Sequence, residues 1–157
     1  MNLYITIPCT YATLQEVKKL DDTFYGCSLD LEWYIDRYLN KNSCILLYDN
    51  DKLIGYFMAV PVKRKLYKAI CRGITAGDID LNHDLFVKKS RYYYLASVII
   101  DSEYRGQGLG TFLAEKFFTD FKPRHWCAIT VSKGGSALLK ERTNKFKQVN
   151  DKIIYYK

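Results

Sequence analysis

Three glycines at alternate positions form the segment of this sequence that is best suited to chemistry. They are Gly106, Gly108 and Gly110, and they stand between an apolar run, residues 93–100, and an amphipathic run, residues 111–121. Because glycine lacks a Cβ atom, its backbone can turn tightly and approach a ligand closely. The first amides of a helix have no partner within the helix, and together with the helix dipole they form an anion site. The spacing therefore predicts a phosphate-binding turn between a strand and a helix.

Two well-known phosphate loops do not fit this segment. A P-loop requires Gly-Lys-Ser/Thr at its end, whereas Leu109, Gly110 and Thr111 follow the second glycine here. A dinucleotide-binding G-x-G-x-x-G fingerprint that starts at Gly106 meets Thr111 at its last position. A glycine-rich turn without a ligand is the structural alternative, and the flanking strand and helix make it the weaker one.

A third pattern, Arg/Gln-x-x-Gly-x-Gly/Ala, does fit, with Arg105, Gly108 and Gly110 at its fixed positions. In this respect the run from Ile100 to Gly110 closely resembles the strand-to-helix junction of the GNAT superfamily of N-acetyltransferases. In that family the loop holds the pyrophosphate of acetyl-CoA. The resemblance implies the same role for this loop, with the backbone amides as the binding groups.

The resemblance also implies a path for the rest of the cofactor. Residues 98–100 would pair with the pantetheine arm as an added strand does, and the Val98 amide would face the acetyl oxygen. As an alternative, Val98 and Ile100 are simply core residues, and both readings can hold because the proposed contacts use the backbone. The cofactor-binding residues expected from the resemblance are Val98, Ile99, Ile100, Arg105, Gly106, Gln107, Gly108, Leu109, Gly110, Thr111 and Ser132.

The catalytic groups are not assigned by the sequence. The family often has a glutamate on the central strand, but residues 92–100 contain no carboxylate. Tyr94 or Ser97 could order a water there, although packing is the expected role of each. The tyrosine that often protonates the leaving thiolate is also missing from the helix after the next strand. The amine is therefore expected to lose its proton to bulk water or to a group elsewhere, and Glu32 and residues 78–84 are the first places to look.

The composition is ordinary for a soluble globular protein, and the length fits one domain. Its 157 residues suffice for a core, and no apolar stretch approaches the ~20 residues of a membrane helix. Its start lacks the pattern of a signal peptide. The five cysteines are odd in number and widely spaced, and the two histidines are isolated, which argues against a zinc site or a disulfide framework and suits a cytoplasmic location. We expect no metal.

The net charge of +7 is unevenly distributed along the chain. Residues 1–100 have 13 Lys+Arg and 11 Asp+Glu, whereas residues 101–157 have 11 and 6. A positive field would favour a polyanionic cofactor, and it would also favour nucleic acid. A solvated basic face without a partner is the plainer interpretation.

Hydrophobic periodicity predicts alternating strands and helices. The predicted strands are 3–7, 44–48, 53–60, 92–100, 126–131, 148–149 and 153–156; the predicted helices are 12–20, 30–39, 63–72, 111–121 and a short one from Gly134 to about Arg142. Residues 75–83 read as a loop, and residues 62–91 match no motif. The order is similar to that of a GNAT domain. It implies a single α/β (α+β) domain over residues 1–157, with a mixed, mostly antiparallel sheet flanked by helices and a cofactor cleft where the central strands splay.

The function that the resemblance implies is transfer of an acetyl group from acetyl-CoA to a primary amine. The acceptor, a small molecule or a protein, is not readable, although residues 24–31 lie where family members wall the acceptor site. An acyl-CoA-binding module without turnover is an alternative, motivated by the missing acid and base. Acetylation of aminoacyl-tRNA is another, motivated by the basic run at residues 63–72. No membrane partner is expected, and a monomer and a dimer both remain open.

Overall fold

The structure is a computed structural model that describes residues 2–7, 9–26, 29–40, 43–74 and 85–157. Over these residues the chain forms seven strands and five α-helices. The strands are β1 (Leu3–Thr6), β2 (Cys44–Asp49), β3 (Lys52–Pro61), β4 (Tyr92–Ile100), β5 (His125–Thr130), β6 (Phe146–Val149) and β7 (Lys152–Tyr156). The helices are α1 (Tyr11–Tyr25), α2 (Leu31–Tyr38), α3 (Arg64–Arg72), α4 (Leu109–Phe121) and α5 (Lys133–Lys140).

The strands form one mixed sheet in the order β1-β2-β3-β4-β5-β7-β6. The chain divides into two compact units, Met1–Met58 with Ser97–Phe121 and Ala59–Ala96 with Lys122–Lys157. We call them the first and the second unit. β3 and β4 each begin in one unit and end in the other, so the two strands belong to both.

The first unit is built on the antiparallel pairs β1–β2 and β2–β3. On β3, Phe57 stacks on Phe117 of α4 with ring centroids 4.8 Å apart, whereas the neighbouring Tyr56 donates a hydrogen bond to Asp21 of α1. Because successive side chains of a strand point to opposite faces, α1 and α4 cover opposite faces of the sheet in this unit. The loop that follows β4 therefore leads to a helix on one face, while α1 lies on the other.

Gly55 allows β3 and β4 to lie close together. A Cβ atom at this position would stand 2.6 Å from Ile100 Cδ1 and 2.9 Å from the Ile99 carbonyl oxygen. The Asp101 amide, directly after β4, donates to the Ile54 carbonyl at 2.8 Å. The end of β4 is thus fixed against β3 by the backbone itself.

In the second unit, β4 and β5 are parallel, with a register from Tyr92 opposite His125 to Leu95 opposite Ala128. β7 pairs antiparallel with both β5 and β6. The helix α3 covers this part of the sheet, and the buried cluster beneath it consists of Val62, Leu66, Ile70, Tyr94, Cys127 and Ile154.

The predicted fold class is confirmed, and most element bounds agree to within two residues. The main difference is α1, which continues to Tyr25 instead of ending at Leu20. The Thr10 side chain begins this helix by accepting from the Thr13 amide, and Gly26, with φ of 66°, ends it. The loop predicted over 75–83 lies outside the described residues. Within the part that is described, no helix is long and apolar enough to cross a membrane.

Candidate functional site

The connection from β4 to α4 is a short structured turn. After β4 ends at Ile100, a 3-10 turn covers Ser102–Tyr104, and the Asp101 side chain begins it by accepting from the Glu103 amide at 3.1 Å. The helix α4 then starts at Leu109. The glycine segment therefore occupies the turn that feeds directly into the helix, as the sequence predicts.

This turn is tied to the β2–β3 hairpin by charge. The Lys52 ammonium lies 3.0 Å from Asp101 Oδ2 and 2.9 Å from Glu103 Oε2. Burial acts to raise the pKa of Asp101, but the hydrogen bonds from Lys52 and from the Glu103 amide outweigh it and lower that pKa below its ordinary value. The Tyr104 hydroxyl adds a hydrogen bond of 3.1 Å to Asp49 Oδ2. The start of the turn is thus held while its glycines face outward.

Gly106 and Gly108 give the turn its shape. Their φ angles are 76° and 77°, in the left-handed region that favours glycine. A Cβ atom built on either one would meet no atom of the described residues within 4 Å, so open space lies in front of both. The backbone at these two positions is therefore open to the approach of another group.

The amides that follow belong to the first turn of α4. The Gly108 carbonyl accepts the first intrahelical hydrogen bond, from the Phe112 amide at 3.0 Å. The amides of Leu109, Gly110 and Thr111 come before that bond, so the helix supplies no carbonyl for them. They carry the positive end of the helix dipole. This arrangement suits a phosphate or another anion.

The Arg105 side chain turns back toward the strand. Its Nε donates to the Ile100 carbonyl at 3.0 Å, and its guanidinium carbon lies 5.0 Å from the centre of the Phe24 ring. A cation over an aromatic face is attracted by the ring quadrupole. Arg105 thus braces the turn against β4 and α1, although the residue as a whole is exposed.

The end of β4 brings together the three strand residues singled out from the sequence. Ile99 is buried, whereas Val98 and Ile100 are half-buried. The Ile100 side chain lies between Gly55 of β3 and Gly110 of α4, whose added Cβ would be 3.9 Å from Ile100 Cγ1. The first turn of α4 therefore lies next to the end of β4, at a distance that would also accommodate a Cβ atom at position 110.

A buried carboxylate lies on the other face of the sheet in the first unit. Asp21 of α1 is 8% exposed and accepts hydrogen bonds from Tyr34 at 2.7 Å and from Tyr56. The Tyr56 hydroxyl is also 3.3 Å from Ser97 Oγ on β4. Burial raises the pKa of Asp21, and the two tyrosine hydrogen bonds act against that shift. The result is a chain of hydroxyl groups from a buried acid to the central strand.

Ser132 begins α5 in the second unit. Its hydroxyl accepts from the Gly135 amide at 3.1 Å, which makes it the N-cap of that helix. The local role of the Ser132 side chain is therefore helix capping. Its predicted contact with the cofactor stays a prediction.

The family of the chain follows from a comparison with family models. The model described as the acetyltransferase (GNAT) family matches residues 14–134. The chain belongs to the acetyltransferase (GNAT) family. Members of this family are acyltransferases, and the matched span contains the glycine turn and the whole of α4.

Solved structures support the same fold for this acetyltransferase. The loading GNATL domain of CurA from Lyngbya majuscula has a TM-score of 0.66 at 19% identity, over 85% of this chain and 67% of that one. Naa50 of Arabidopsis thaliana, in complex with the bisubstrate analogue CoA-Ac-MVNAL, has a TM-score of 0.62 at 14% identity, over 100% and 99%. The diaminobutyrate acetyltransferase EctA of Paenibacillus lautus, in complex with L-2,4-diaminobutyric acid and coenzyme A, has a TM-score of 0.62 at 10% identity, over 99% and 93%. Identities this low show the fold alone. No curated protein matches the sequence.

The acetyltransferase fold brings most of the sequence-predicted residues together. Val98 to Thr111 form one continuous strand, turn and helix start within the first unit. Tyr94 is buried in the cluster beneath α3, in keeping with the packing role expected for it. Ser97 does more than pack, because it contacts Tyr56. Glu32, one of the places proposed for a base, is exposed, and residues 78–84 lie outside the described residues.

The residue that the sequence reasoning missed is Asp21. One signal could have revealed it. Leu14 and Val17 form the buried stripe of α1, and Asp21 continues that stripe four residues after Val17. A carboxylate on the apolar face of a helix must find partners, since burial of a lone charge is costly. The predicted helix ended at Leu20, one residue too early to include it.

Proposed function

We propose that this acetyltransferase transfers the acetyl group of acetyl-CoA to a primary amine. The observation that carries the proposal is the turn from Arg105 to Thr111. It combines two glycines of positive φ, open space in front of them and the start of α4 at the end of the central strand.

The turn fits a pyrophosphate. Curled backbone with its amides on the concave side binds anions without any side chain. The amides of residues 106–111 would hold the two phosphates, with Arg105 as a brace and with Gln107 and Leu109 contributing their backbone only. The open space at Gly106 and Gly108 supports this fit, because a side chain there would occupy the position of the phosphates.

β4 fits the pantetheine arm. Residues 98–100 would pair with the arm through backbone groups, in the way an extended peptide adds to a strand. When bound, acetyl-CoA supplies a thioester whose carbonyl carbon accepts the amine. In this arrangement the Val98 amide donates to the acetyl oxygen as negative charge develops there. The protein thus orients the thioester and stabilises charge on it.

Binding is the first test. Calorimetry should give similar dissociation constants for acetyl-CoA and CoA, because the proposed contacts are mostly to pyrophosphate and pantetheine. Binding should also stabilise the fold by ~2.7 kcal/mol at a hundred times the dissociation constant. Absence of both a binding heat and a thermal shift with either compound would contradict the proposal.

Turnover is the second test. Release of free CoA from acetyl-CoA should depend on an added amine, measured with the peptide MVNAL, with L-2,4-diaminobutyrate and with Nα-acetyl-lysine amide. The first two follow the acceptors named in the structures of Naa50 and EctA. Tight binding without amine-dependent release across this set would favour an acyl-CoA-binding module without turnover.

A second candidate acceptor is aminoacyl-tRNA, and α3 is the observation that favours it. Lys63, Arg64, Lys65, Lys68 and Arg72 on and before this helix are all exposed. The logarithm of the association constant for tRNA should fall linearly with the logarithm of the salt concentration. Changing Lys65 and Lys68 together to alanine should reduce the slope by about 2, whereas Lys116→Ala in the first unit should not. A slope of zero would leave α3 as a solvated face.

We also propose that the protein works in the cytoplasm. Among the described residues, Cys9, Cys71 and Cys127 are free thiols. Free thiols persist in a reducing compartment, and disulfides in an oxidising one. A thiol titration of the protein as purified from its own cells should therefore find these three cysteines reactive after unfolding without a reductant.

A further inference from the structure

We infer that Ser97, Tyr56 and Asp21 form a proton path that takes up the proton which the acceptor amine must lose. The inference rests on the proposed acetyl transfer and deepens it, because it supplies the base that the central strand lacks. In it, Ser97 is the group that faces the amine, Tyr56 is the relay and Asp21 is the final acceptor. From the sequence, Ser97 was considered only as a residue that could order a water, and Tyr56 and Asp21 were not singled out.

The hydrogen bonds of the path have one direction. A tyrosine has a single O–H hydrogen, and that of Tyr56 is donated to Asp21 Oδ1. In the contact of 3.3 Å between Tyr56 and Ser97, Ser97 must therefore be the donor. The lone pairs of Ser97 Oγ are left to accept a hydrogen from outside the path. Each hydrogen bond of the path is thus donated in the direction from the central strand toward the Asp21 carboxylate.

The path starts at the right place on β4. Ser97 directly precedes Val98, whose amide is proposed to face the acetyl oxygen. Ser97 is half-buried, whereas Tyr56 and Asp21 are 1% and 8% exposed, so only the first member can meet an acceptor. Since Phe57 packs against α4, Tyr56 and Ser97 lie on the opposite face of the sheet. The turn that would hold the pyrophosphate leads to one face, and the proton path leads away on the other.

The proton transfers balance in the following way. The ammonium group of the acceptor gives a proton to Ser97 Oγ, directly or through one water, as Ser97 passes its hydrogen to Tyr56 and Tyr56 passes its hydrogen to Asp21. Ser97 and Tyr56 end with one hydrogen each, the amine is neutral and Asp21 is a carboxylic acid. The nitrogen lone pair then forms the C–N bond, the C–S bond breaks and CoA leaves as thiolate. The thiolate takes up the second proton of the amine nitrogen. After the product leaves, the transfers run in reverse, and the proton of Asp21 returns through Tyr56 and Ser97 to water.

The surroundings of Asp21 suit an acceptor of protons. Its partners are the Tyr34 and Tyr56 hydroxyls, and the neighbouring Asp22 carboxylate adds a like charge. Burial is the largest effect on its pKa and raises it, and Asp22 acts in the same direction. A carboxylate of raised pKa accepts a proton from an amine more readily than an exposed one.

Tyr34 provides a matched control within the same cluster. It donates to Asp21 as Tyr56 does, yet among the contacts that the structure gives, it is Tyr56 that continues to β4. Tyr34→Phe should therefore leave the path intact. Because the hydrogen bond from Tyr34 lowers the pKa of Asp21, removal of this bond should raise that pKa.

The test is the pH profile of kcat/KM with two acceptors of different amine pKa, the peptide MVNAL (α-amine ~7.7–8.0) and Nα-acetyl-lysine amide (~10.4). The wild type should reach a plateau at a pH shared by both acceptors. Ser97→Ala and Tyr56→Phe should lower kcat/KM at pH 7 by about a hundredfold and make it rise about tenfold per pH unit with each amine. The Ser97→Thr variant should show the plateau again. The Tyr34→Phe variant should keep the plateau but reach it at a higher pH. All variants should bind CoA like the wild type.

Two results would overturn the inference, and they are distinguishable. If the wild type binds acetyl-CoA but releases no CoA with any acceptor, the proposed function fails and the path fails with it. If the wild type is active and Ser97→Ala has a parallel pH profile with unchanged kcat/KM, the path alone is wrong. If Tyr56→Phe does not fold, Ser97→Ala at its half-buried position decides between these results.

Discussion

Gly108 determines the shape of the proposed cofactor loop through one backbone angle. At φ of 77° a β-branched residue is strongly disfavoured, and its side chain would fill the open space in front of the loop. We expect Gly108→Val to abolish CoA binding in calorimetry while the protein stays folded by circular dichroism.

A matched control is available at Gly26, where φ is 66° and an added Cβ would likewise meet nothing within 4 Å. Gly26→Val should carry a similar conformational cost, ~1–3 kcal/mol, without loss of CoA binding. Equal CoA binding by the two variants would mean that the glycine segment is only a turn.

Asp21 should leave a signature in the pH dependence of stability. Its folded pKa is raised, so its contribution is fully present below its unfolded pKa of ~3.9 and is lost as the pH rises through the folded value. We expect the unfolding free energy of the wild type to fall relative to that of Asp21→Asn across this window. Urea unfolding of both proteins from pH 4 to 8 measures the difference. A difference independent of pH would show that Asp21 is not perturbed in the folded state. The pKa of Asp101 is lowered, so its effect on stability has the opposite pH dependence. Because Asp101 is present in both the wild type and Asp21→Asn, its contribution cancels in the difference.

The two kinds of site residue differ in how far sequence predicts them. The loop from Arg105 to Thr111 is local, since its glycines, strand and helix are contiguous and their spacing carries the geometry. The path through Asp21, Tyr56 and Ser97 joins three elements that are far apart in the chain. Spacing along the sequence holds no information about such a contact, because the pairing of β3 with β4 and the packing of α1 create it.

Among the elements, the close pairing of β3 and β4 is the most sensitive to substitution. The nearest atoms to an added Cβ at Gly55 are the Ile100 side chain and the Ile99 carbonyl oxygen, and the latter cannot move without disturbing β4. We expect Gly55→Ala to destabilise the protein by ~1–3 kcal/mol and to weaken CoA binding, because Ile99 and Ile100 belong to the proposed pantetheine strand. Urea unfolding and calorimetry measure the two effects.

Gly134 in α5 is the control for that substitution. An added Cβ there meets nothing within 4 Å, and no positive φ is required. Since alanine is the better helix former, Gly134→Ala should leave stability unchanged or raise it by up to ~1 kcal/mol. Destabilisation by both substitutions to the same extent would argue against close strand approach as the cause.

Element bounds were predictable where a local signal exists. β4 agrees with the predicted strand at both ends because a run of nine residues, apolar or aromatic except for Ser97, stands between polar neighbours. α1 was predicted too short because its last turn lacks an apolar residue on the buried face, where Asp21 stands instead. For α4, the predicted start at Thr111 was two residues late, since Leu109 and Gly110 already have helical geometry. Glycine is typical of loops in a sequence, whereas here Gly110 lies in the first turn of the helix.

At the scale of the whole molecule, the net charge of +7 is the sum of a negative first unit and a positive second unit. The first unit has 7 Lys+Arg against 12 Asp+Glu, and the second has 17 against 5. The charge count over residues 101–157 did not show this difference, because residues 101–121 belong to the first unit and residues 122–157 to the second. The glycine loop lies in the acidic unit, so in the proposed function the attraction for the pyrophosphate comes from local amides rather than from the net charge of the unit. That the whole chain acts as one domain stays a prediction.

If main-chain amides hold the pyrophosphate as proposed, no metal ion is needed to neutralise it. Over the residues that the structure describes, no three His, Cys, Asp or Glu side chains are grouped as ligands. We therefore expect CoA binding and acetyl transfer to be unchanged after dialysis against EDTA, as measured by calorimetry and by thiol release. Loss of activity that a single divalent ion restores would contradict this.

Gln107 stands exposed between the two glycines of positive φ. If the phosphates are held by main-chain amides alone, the side chain at this position is free to be replaced by an optical reporter. A cysteine at residue 107, labelled with an environment-sensitive dye, would convert cofactor binding into a fluorescence change. Such a sensor would allow acyl-CoA compounds of different chain length to be ranked in minutes, without any knowledge of the acceptor.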